Sequence, residues 1–258
     1  MKMKTDKDEQ ILRKHLLDLA KTAERKGIPI FSDFLNLNEQ NIFFSMKQEL
    51  PHITYIAYGG YEDSERKMLC FCDDFSITSY EDVEFPITCI KIVPLNHKFS
   101  DQLNHRDFLG AVLNLGIDRS KIGDIIVKEN EGYLFCSTAI SYFIIDNLFK
   151  IKHTMIQASV LDYRDFDYQP KFKEIKGTVT SIRLDSILAV ALKKSRSSLS
   201  GLIAGGKVYV NSKEVYSNSY QLKENDVVSV RGYGKFIFQG TSSVTKKGRY
   251  SVTILLYT

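Results

Sequence analysis

Nothing in this 258-residue sequence is long and apolar enough to cross a bilayer. No run approaches the roughly 18–20 residues a membrane span needs, and the longest candidate, Ile140 to Leu148, is interrupted by Asp146. The charged start, Met1-Lys-Met-Lys-Thr-Asp-Lys-Asp-Glu, leads into no apolar core of the kind a secretion signal requires. A cytoplasmic protein without a membrane partner is expected. Cysteine is scarce, and four residues (Cys70, Cys72, Cys89, Cys136) make no disulfide scaffold. Cys70 and Cys72 form a C-x-C pair inside the apolar run Met68-Leu-Cys-Phe-Cys. With no C-x-x-C or H-x₃-H pair to complete a ligand set, they read as buried thiols, and no metal is expected. Glycine-rich phosphate loops are missing as well. Residues 1–180 hold eight glycines, none in G-x-G-x-x-G, and no His–Cys or Ser–His–Asp arrangement at recognisable spacing. There is no internal repeat and no low-complexity tract. No cofactor and no catalytic residue is expected.

What is present is an ordinary globular composition, 43% apolar, 26% charged and 12% aromatic. The formal net charge of +4 is unevenly divided. Residues 181–258 carry 12 Lys and Arg against 4 Asp and Glu, a net +8, so the remaining 1–180 carry −4. A basic terminal third on an acidic body is the asymmetry expected of a nucleic-acid-binding module.

Ile11, Leu12, Leu16, Leu19 and Ala23 recur at helical spacing until Gly27 and Pro29 stop them. A second helix is predicted from a cap at Asn38 to Leu50, before Pro51. Ile53-Thr-Tyr-Ile-Ala-Tyr and Lys67-Met-Leu-Cys-Phe-Cys read as strands joined through Gly59-Gly60, closing a small N-terminal α/β unit at 1–80. The next stretch orders a strand (Ile87–Val93), a helix capped by Asn104 and stopped by Gly116, two strands about a tight Asn130-Glu131-Gly132 turn, an apolar helix (Thr138–Ile151) and a strand (His153–Leu161). That β-α-β-β-α-β order is the ferredoxin-like framework of the RNA-recognition motif. Leu161 to Thr180, with Asp162, Tyr163, Arg164, Asp165, Phe166, Asp167 and Tyr168 ahead of Pro170, reads as a linker.

The densest signal lies at 182–231: Arg183-Leu184-Asp185, then Lys193-Lys194-Ser195-Arg196-Ser197, Leu202-Ile203, Gly206-Lys207-Val208-Tyr209-Val210-Asn211, and Asn225-Asp226 before Arg231. Six blocks in this order resemble the S4 RNA-binding domain, despite Leu199 in place of alanine, Asn211-Ser212 in place of Asn-Gly, and Glu224-Asn225-Asp226 in place of a Gly-Asp turn. Leu184, Ile187, Leu188, Ala191 and Leu192 make an apolar stripe. Ser195 can cap the following helix, placing Arg196 and Ser197 in its first turn, where free N–H groups and a guanidinium suit phosphate. Arg183 and Asp185 fit an intradomain pair as well as an RNA contact. The RNA-binding set expected is Arg183, Lys193, Lys194, Ser195, Arg196, Ser197, Lys207, Asn211, Lys213, Arg231, Lys235, Lys246, Lys247 and Arg249, joined by Arg106, Arg119 and Lys121 of the middle domain. Arg196 is expected to matter most.

A second resemblance extends over nearly the whole chain. His105-Arg106-Asp107-Phe108-Leu109-Gly110-Ala111, Leu115-Gly116-Ile117-Asp118-Arg119 and Gly123-Asp124-Ile125 are similar to the YlmH family, as are Tyr58-Gly59-Gly60-Tyr61, Glu65-Arg66, Gly232-Tyr-Gly234-Lys235-Phe and Thr245-Lys246-Lys247-Gly248-Arg249. The resemblance implies a non-enzymatic protein that binds rRNA and tRNA on the large ribosomal subunit, on 50S particles holding stalled peptidyl-tRNA, in ribosome-associated quality control. A monomer is expected.

The fold class expected is therefore α+β and multidomain: an N-terminal unit at 1–80, an RRM-like βαββαβ domain at 83–162, a linker at 163–180 and an S4 domain at 181–258. Two decoys are set aside. His105-Arg106-Asp107 opens like a kinase catalytic loop, but Val112 stands where the metal-binding asparagine belongs, and no D-F-G follows. Gly132-Tyr133-Leu134-Phe135 partly fits the aromatic code of the RNA-recognition motif, yet the first strand offers no aromatic partner and Glu131 replaces a basic residue, so Tyr133 and Phe135 are expected in packing. The competing readings are an RNA-modifying enzyme with an S4 targeting domain and a cell-division adaptor.

Overall fold

The structure is a computed structural model and describes residues 2–73, 77, 79–162, 166 and 168–257. The chain divides into two compact units, Met1–Tyr168 and Gln169–Thr258. In the first, α1 (Lys2–Lys26) ends where the N–H of Gly27, at φ 63°, donates to Ala23 O. Its buried stripe is Leu16, Ala20 and Ala23, and Ile11 lies outside it, exposed. Then come β1 (Ile30–Phe31), α2 (Leu37–Ser45), β2 (Thr54–Tyr58) and β3 (Met68–Cys72), in a sheet of order β1-β3-β2. The helix cap is Asn36, not Asn38. Its side chain accepts from the Asn38 and Glu39 N–H groups while Glu39 reaches back to the Asn36 N–H. That helix also ends at Ser45, and a 3₁₀ turn carries on over Lys47–Glu49.

Strand β3 is buried on both faces, which explains its unbroken apolar run. Leu69 and Phe71 pack with Leu16 and Phe43 on the α1 side, and Met68, Cys70 and Cys72 meet the other core. All four cysteines are buried and reduced, and burial pushes the Cys70, Cys89 and Cys136 thiols up to about 12.

The next elements are β4 (Ile87–Pro94), α3 (His105–Leu113), β5 (Ile122–Lys128), β6 (Glu131–Ser137), α4 (Thr138–Asn147), β7 (Lys150–Ile151) and β8 (Thr154–Leu161). Their sheet order, β5-β6-β4-β8-β7, is the expected ferredoxin-like arrangement with one short strand added. The added strand arises because α4 stops at Asn147 rather than Ile151. The β5–β6 turn is Glu129-Asn130, both at positive φ (47° and 70°), so Glu131 and Gly132 belong to the strand. Alternation splits the sheet cleanly. Ile90, Ile92 and Leu134 face Phe108, Val112 and Ile144 of the helices. Ile87, Cys89 and Phe135 face Phe34, Tyr58, Tyr61 and Met68 of the N-terminal elements. That shared second core makes residues up to Tyr168 one unit, where the sequence suggested two domains.

The second unit holds β9 (Phe172–Val179), α5 (Leu184–Leu192), α6 (Arg196–Ala204), β10 (Val208–Val210), β11 (Lys213–Glu214), β12 (Asp226–Val230), β13 (Gly234–Val244) and β14 (Tyr250–Tyr257). Its sheet runs β11-β10-β12-β13-β14-β9, with Leu184, Ile187, Leu188 and Leu199 of the helices over Val208, Val228, Phe236 and Val252. The predicted linker is thereby shortened. Residues 172–179 are a full strand paired to β14 from Phe172–Tyr257 to Val179–Tyr250. Phe166 and Tyr168 pack on the core of the first unit, and Tyr163, Arg164, Asp165 and Asp167 lie outside the described residues.

Candidate nucleic-acid interface

In the second unit, Leu184, Ile187 and Leu188 anchor α5 in the core, and Lys193 closes the helix in the left-handed conformation at φ 52°. The chain then turns sharply into α6, whose N-cap is Ser195, as expected: its hydroxyl accepts from the Ser198 N–H at 3.3 Å and contacts the Ser197 hydroxyl at 3.1 Å. Lys193, Lys194 and Ser195 are therefore exposed on the helix–helix turn.

The two arginines of this region converge on one carboxylate. Asp185 is buried, its side chain 8% exposed. Arg183 donates through Nε to Oδ1 and through Nη2 to Oδ2, each at 3.2 Å. Arg196 donates to Oδ2 through Nε at 3.1 Å and also through Nη2. Burial raises the Asp185 pKa, but the hydrogen bonds from Arg196 and Arg183 outweigh it and hold the group below its ordinary value. The sequence pointed to Arg196 as an arm reaching for phosphate from the helix end. It is instead tethered across the α5–α6 pair, leaving only the outer edge of its half-exposed guanidinium to solvent.

Beside the turn lies a basic and aromatic face. Lys194 Nζ sits 5.2 Å from the centre of the Tyr233 ring. Lys207 and Arg231 flank the paired strands β10 and β12, joined by an Arg231 N–H to Lys207 O bond of 2.9 Å. Arg231 Nη2 donates to the Tyr209 hydroxyl at 3.2 Å. Val208 and Val210 point into the core and Tyr209 away from it, the alternation expected. Lys213 is exposed on the edge strand β11. Lys246 and Lys247 are exposed in the β13–β14 turn, where Arg249 donates to Thr178 O, and Lys235 lies 4.3 Å over the Tyr257 ring. Asn211 has a different task from the one expected. Its Nδ2 donates to Asp226 and its Oδ1 accepts from the Val227 N–H, which locks a turn at φ 48°.

In the first unit, Arg106 is exposed on the first turn of α3, whose Asn104–Asp107 capping box is complete. Arg119 and Lys121 are not free arms. Arg119 Nη1 donates to Ile122 O and Gly123 O, and Lys121 pairs with Asp33 at 2.5 Å.

Two family models match the chain, the RNA-binding domain in YlmH over residues 81–165 and the S4 domain over residues 182–228. The ribosome-associated protein quality control protein P2 of Bacillus subtilis (strain 168) is similar from end to end, 28% identical over 251 residues that cover 96% of this chain and 95% of the relative. The chain is similar to YlmH in its middle region and carries an S4 domain after it. It is thus an RNA-binding protein by both matched domains. Among solved structures, the cell division protein ylmH from Streptococcus pneumoniae is similar at 23% identity and a TM-score of 0.49, covering 62% of this chain and 95% of that one.

The YlmH-like motifs of the first unit assemble into a single buried polar knot. Asp124, on β5, accepts from the Tyr61 hydroxyl (2.8 Å), the Glu65 N–H (2.6 Å) and the Arg66 N–H (3.1 Å). Arg66, 8% exposed, donates in turn to Ile122 O, Phe34 O and Arg119 O. Burial raises the Asp124 pKa and lowers that of Arg66, and burial with the adjacent Arg66 charge brings Arg119 down to about 10. Gly60, at φ 101°, and Gly123 let the halves approach: a Cβ on either would come within 3 Å of the Phe135 or Phe34 ring. These motifs fasten the N-terminal elements to the RRM-like sheet. Sequence reasoning singled the residues out but had no means of placing Tyr61, Arg66 and Asp124 together.

Proposed function

We propose that this protein docks through its S4 domain on rRNA and tRNA of the large ribosomal subunit, on 50S particles carrying peptidyl-tRNA, as a non-catalytic, monomeric, cytoplasmic factor of ribosome-associated quality control. The observation that carries this reading is the face of exposed Lys193, Lys194, Lys207, Arg231 and Tyr233, with half-buried Tyr209, beside the α6 N-terminus, in a segment of net charge +8. Cations for phosphate and rings for bases or riboses, around a helix end with free N–H groups, suit structured RNA. The name of the Bacillus subtilis relative, which matches this chain along its length, assigns that protein to the same process. Arg183 and Arg196 contribute here by shaping the helix pair and presenting their outer N–H edges. Lys213, Lys235, Lys246, Lys247 and Arg249 extend the positive field, and Ser195 and Ser197 shape the helix entrance.

The test is co-sedimentation of the full chain with 50S subunits bearing peptidyl-tRNA. Lys194→Ala with Arg231→Ala should lower the affinity at least tenfold, about 1.4 kcal/mol, with the circular dichroism unchanged. Binding equal to wild type would move the interface off this face.

A further inference from the structure

The aromatic half of the RRM-like sheet is already occupied. Phe135 is fully buried, its ring 5.1 Å from Tyr61 and 5.1 Å from Phe166, and Tyr133 lies 5.1 Å from Phe166. Lys128 covers Phe166 and Tyr168 at 5.6 and 5.2 Å. An RNA-recognition motif ordinarily stacks bases on the rings of this face, and here those rings pack on one another.

The helical side is open. Between α3 and the segment joining α4 to β7 runs a groove of about 600 Å³, lined among others by Arg106, Gly110, Asn114, Phe149, Lys150 and Lys152. Phe149 is 59% exposed, and Tyr142 and Phe143 on the outer side of α4 are 71% and 48% exposed. Three cations line the groove against one carboxylate, Asp107, which already pairs with Lys152 at 2.7 Å and accepts from the Asn104 N–H. Its wall contains a glycine in mid-helix, although a Cβ at Gly110 would meet nothing within 4 Å. Glycine there forgoes the helix stability alanine would bring, and it keeps that side of the groove clear.

We propose that this groove is a second RNA site, specific for unpaired RNA, in which a base stacks on Phe149 and the neighbouring phosphates contact Arg106 and Lys150. Phosphate is favoured over a protein surface because an apolar partner helix would desolvate three cations with only one carboxylate to answer them. Single strands are favoured over duplex because stacking on a ring needs an unstacked base. The proposal rests on the RNA-binding reading of the chain but not on its docking to the large subunit.

The experiment is zero-length ultraviolet crosslinking of the full chain to a 12-nucleotide oligouridine, with crosslinked peptides mapped by mass spectrometry. Crosslinks should appear at Phe149, separately from any within 182–231. Phe149→Leu, which keeps an apolar side chain but removes the ring, should cut the groove crosslink at least fivefold, the lower end of the cost of losing one base stack. Gly110→Glu, which places a carboxylate in the groove, should do the same, while Gly110→Ala should retain the crosslink and serve as the folding control. Crosslinks within 182–231 should be unchanged in all three variants. Crosslinks confined to 182–231, or found at Tyr133 or Tyr168, would overturn the groove while leaving the S4 reading intact. Crosslinks nowhere would overturn both. A groove that captures a protein and ignores the oligouridine would also overturn the proposal.

Discussion

With four donor bonds from Arg183 and Arg196 arriving on it, the nearly buried Asp185 stays ionised and sets the direction of both guanidinium groups. Its folded-state pKa lies below the unfolded value of about 3.9. The stability it contributes is therefore complete above about pH 5 and lost as the pH falls through the folded value. Asp185→Asn should lower the melting temperature at pH 7, and the gap to wild type should close towards pH 3. A gap that stays constant with pH would show the carboxylate charge to be idle. The spacing of Arg183 and Asp185 made their pairing legible in the sequence. The tie to Arg196 was not legible, because it spans a helix and a turn that no local pattern measures. The same holds for the knot at Asp124. Replacing Arg66 by Met should leave the buried Phe34 carbonyl without its donor, at a cost of about 1–3 kcal/mol for each such group. Chemical denaturation of the full chain reads this directly, and an unchanged midpoint would contradict the fastening role.

At the scale of elements, α3 is the best-specified helix of the first unit. Asn104 caps it, Asp107 returns the bond, and Phe108 and Val112 fill the core, all recognisable from residue type and spacing. Asn104→Ala should cost about 1 kcal/mol, and Gly110→Ala should gain about 0.5–1 kcal/mol. Opposite shifts in the denaturation midpoint would check both. The misplaced boundaries have identifiable causes. Two asparagines compete to cap α2, and only Asn36 has a glutamate three residues on, at Glu39, to complete the reciprocal bond. The β5–β6 turn needs two consecutive residues at positive φ, and Glu129 is a residue type that does not announce one. Strand β9 was hidden because Lys173, Glu174 and Lys176 give it the composition of a solvated linker, while its pairing partner lies at the far end of the unit.

For the whole molecule, the basic side chains divide between an exposed surface and internal fastenings. The basic residues of the second unit are mostly exposed, whereas Arg66 and Arg119 of the first are bound to backbone carbonyls. Affinity for RNA should fall steeply with salt, and removing Lys194 and Arg231 together should flatten the log–log slope by about 1.4–1.8, at roughly 0.7–0.9 for each phosphate left without its cation. Filter binding of the full chain at a series of potassium concentrations would measure it, and an unchanged slope would assign these two side chains no phosphates. The sheet of the second unit also has a consequence for how the chain is made. Because Phe172 pairs with Tyr257, the first strand of that sheet emerges long before its partner exists. At about 5–20 residues per second of synthesis, β9 waits roughly 4–17 seconds with both backbone edges unpaired. Its Lys173, Glu174 and Lys176 then serve a purpose beyond the finished fold: they discourage the nascent strand from adding to a neighbour's sheet until β14 arrives.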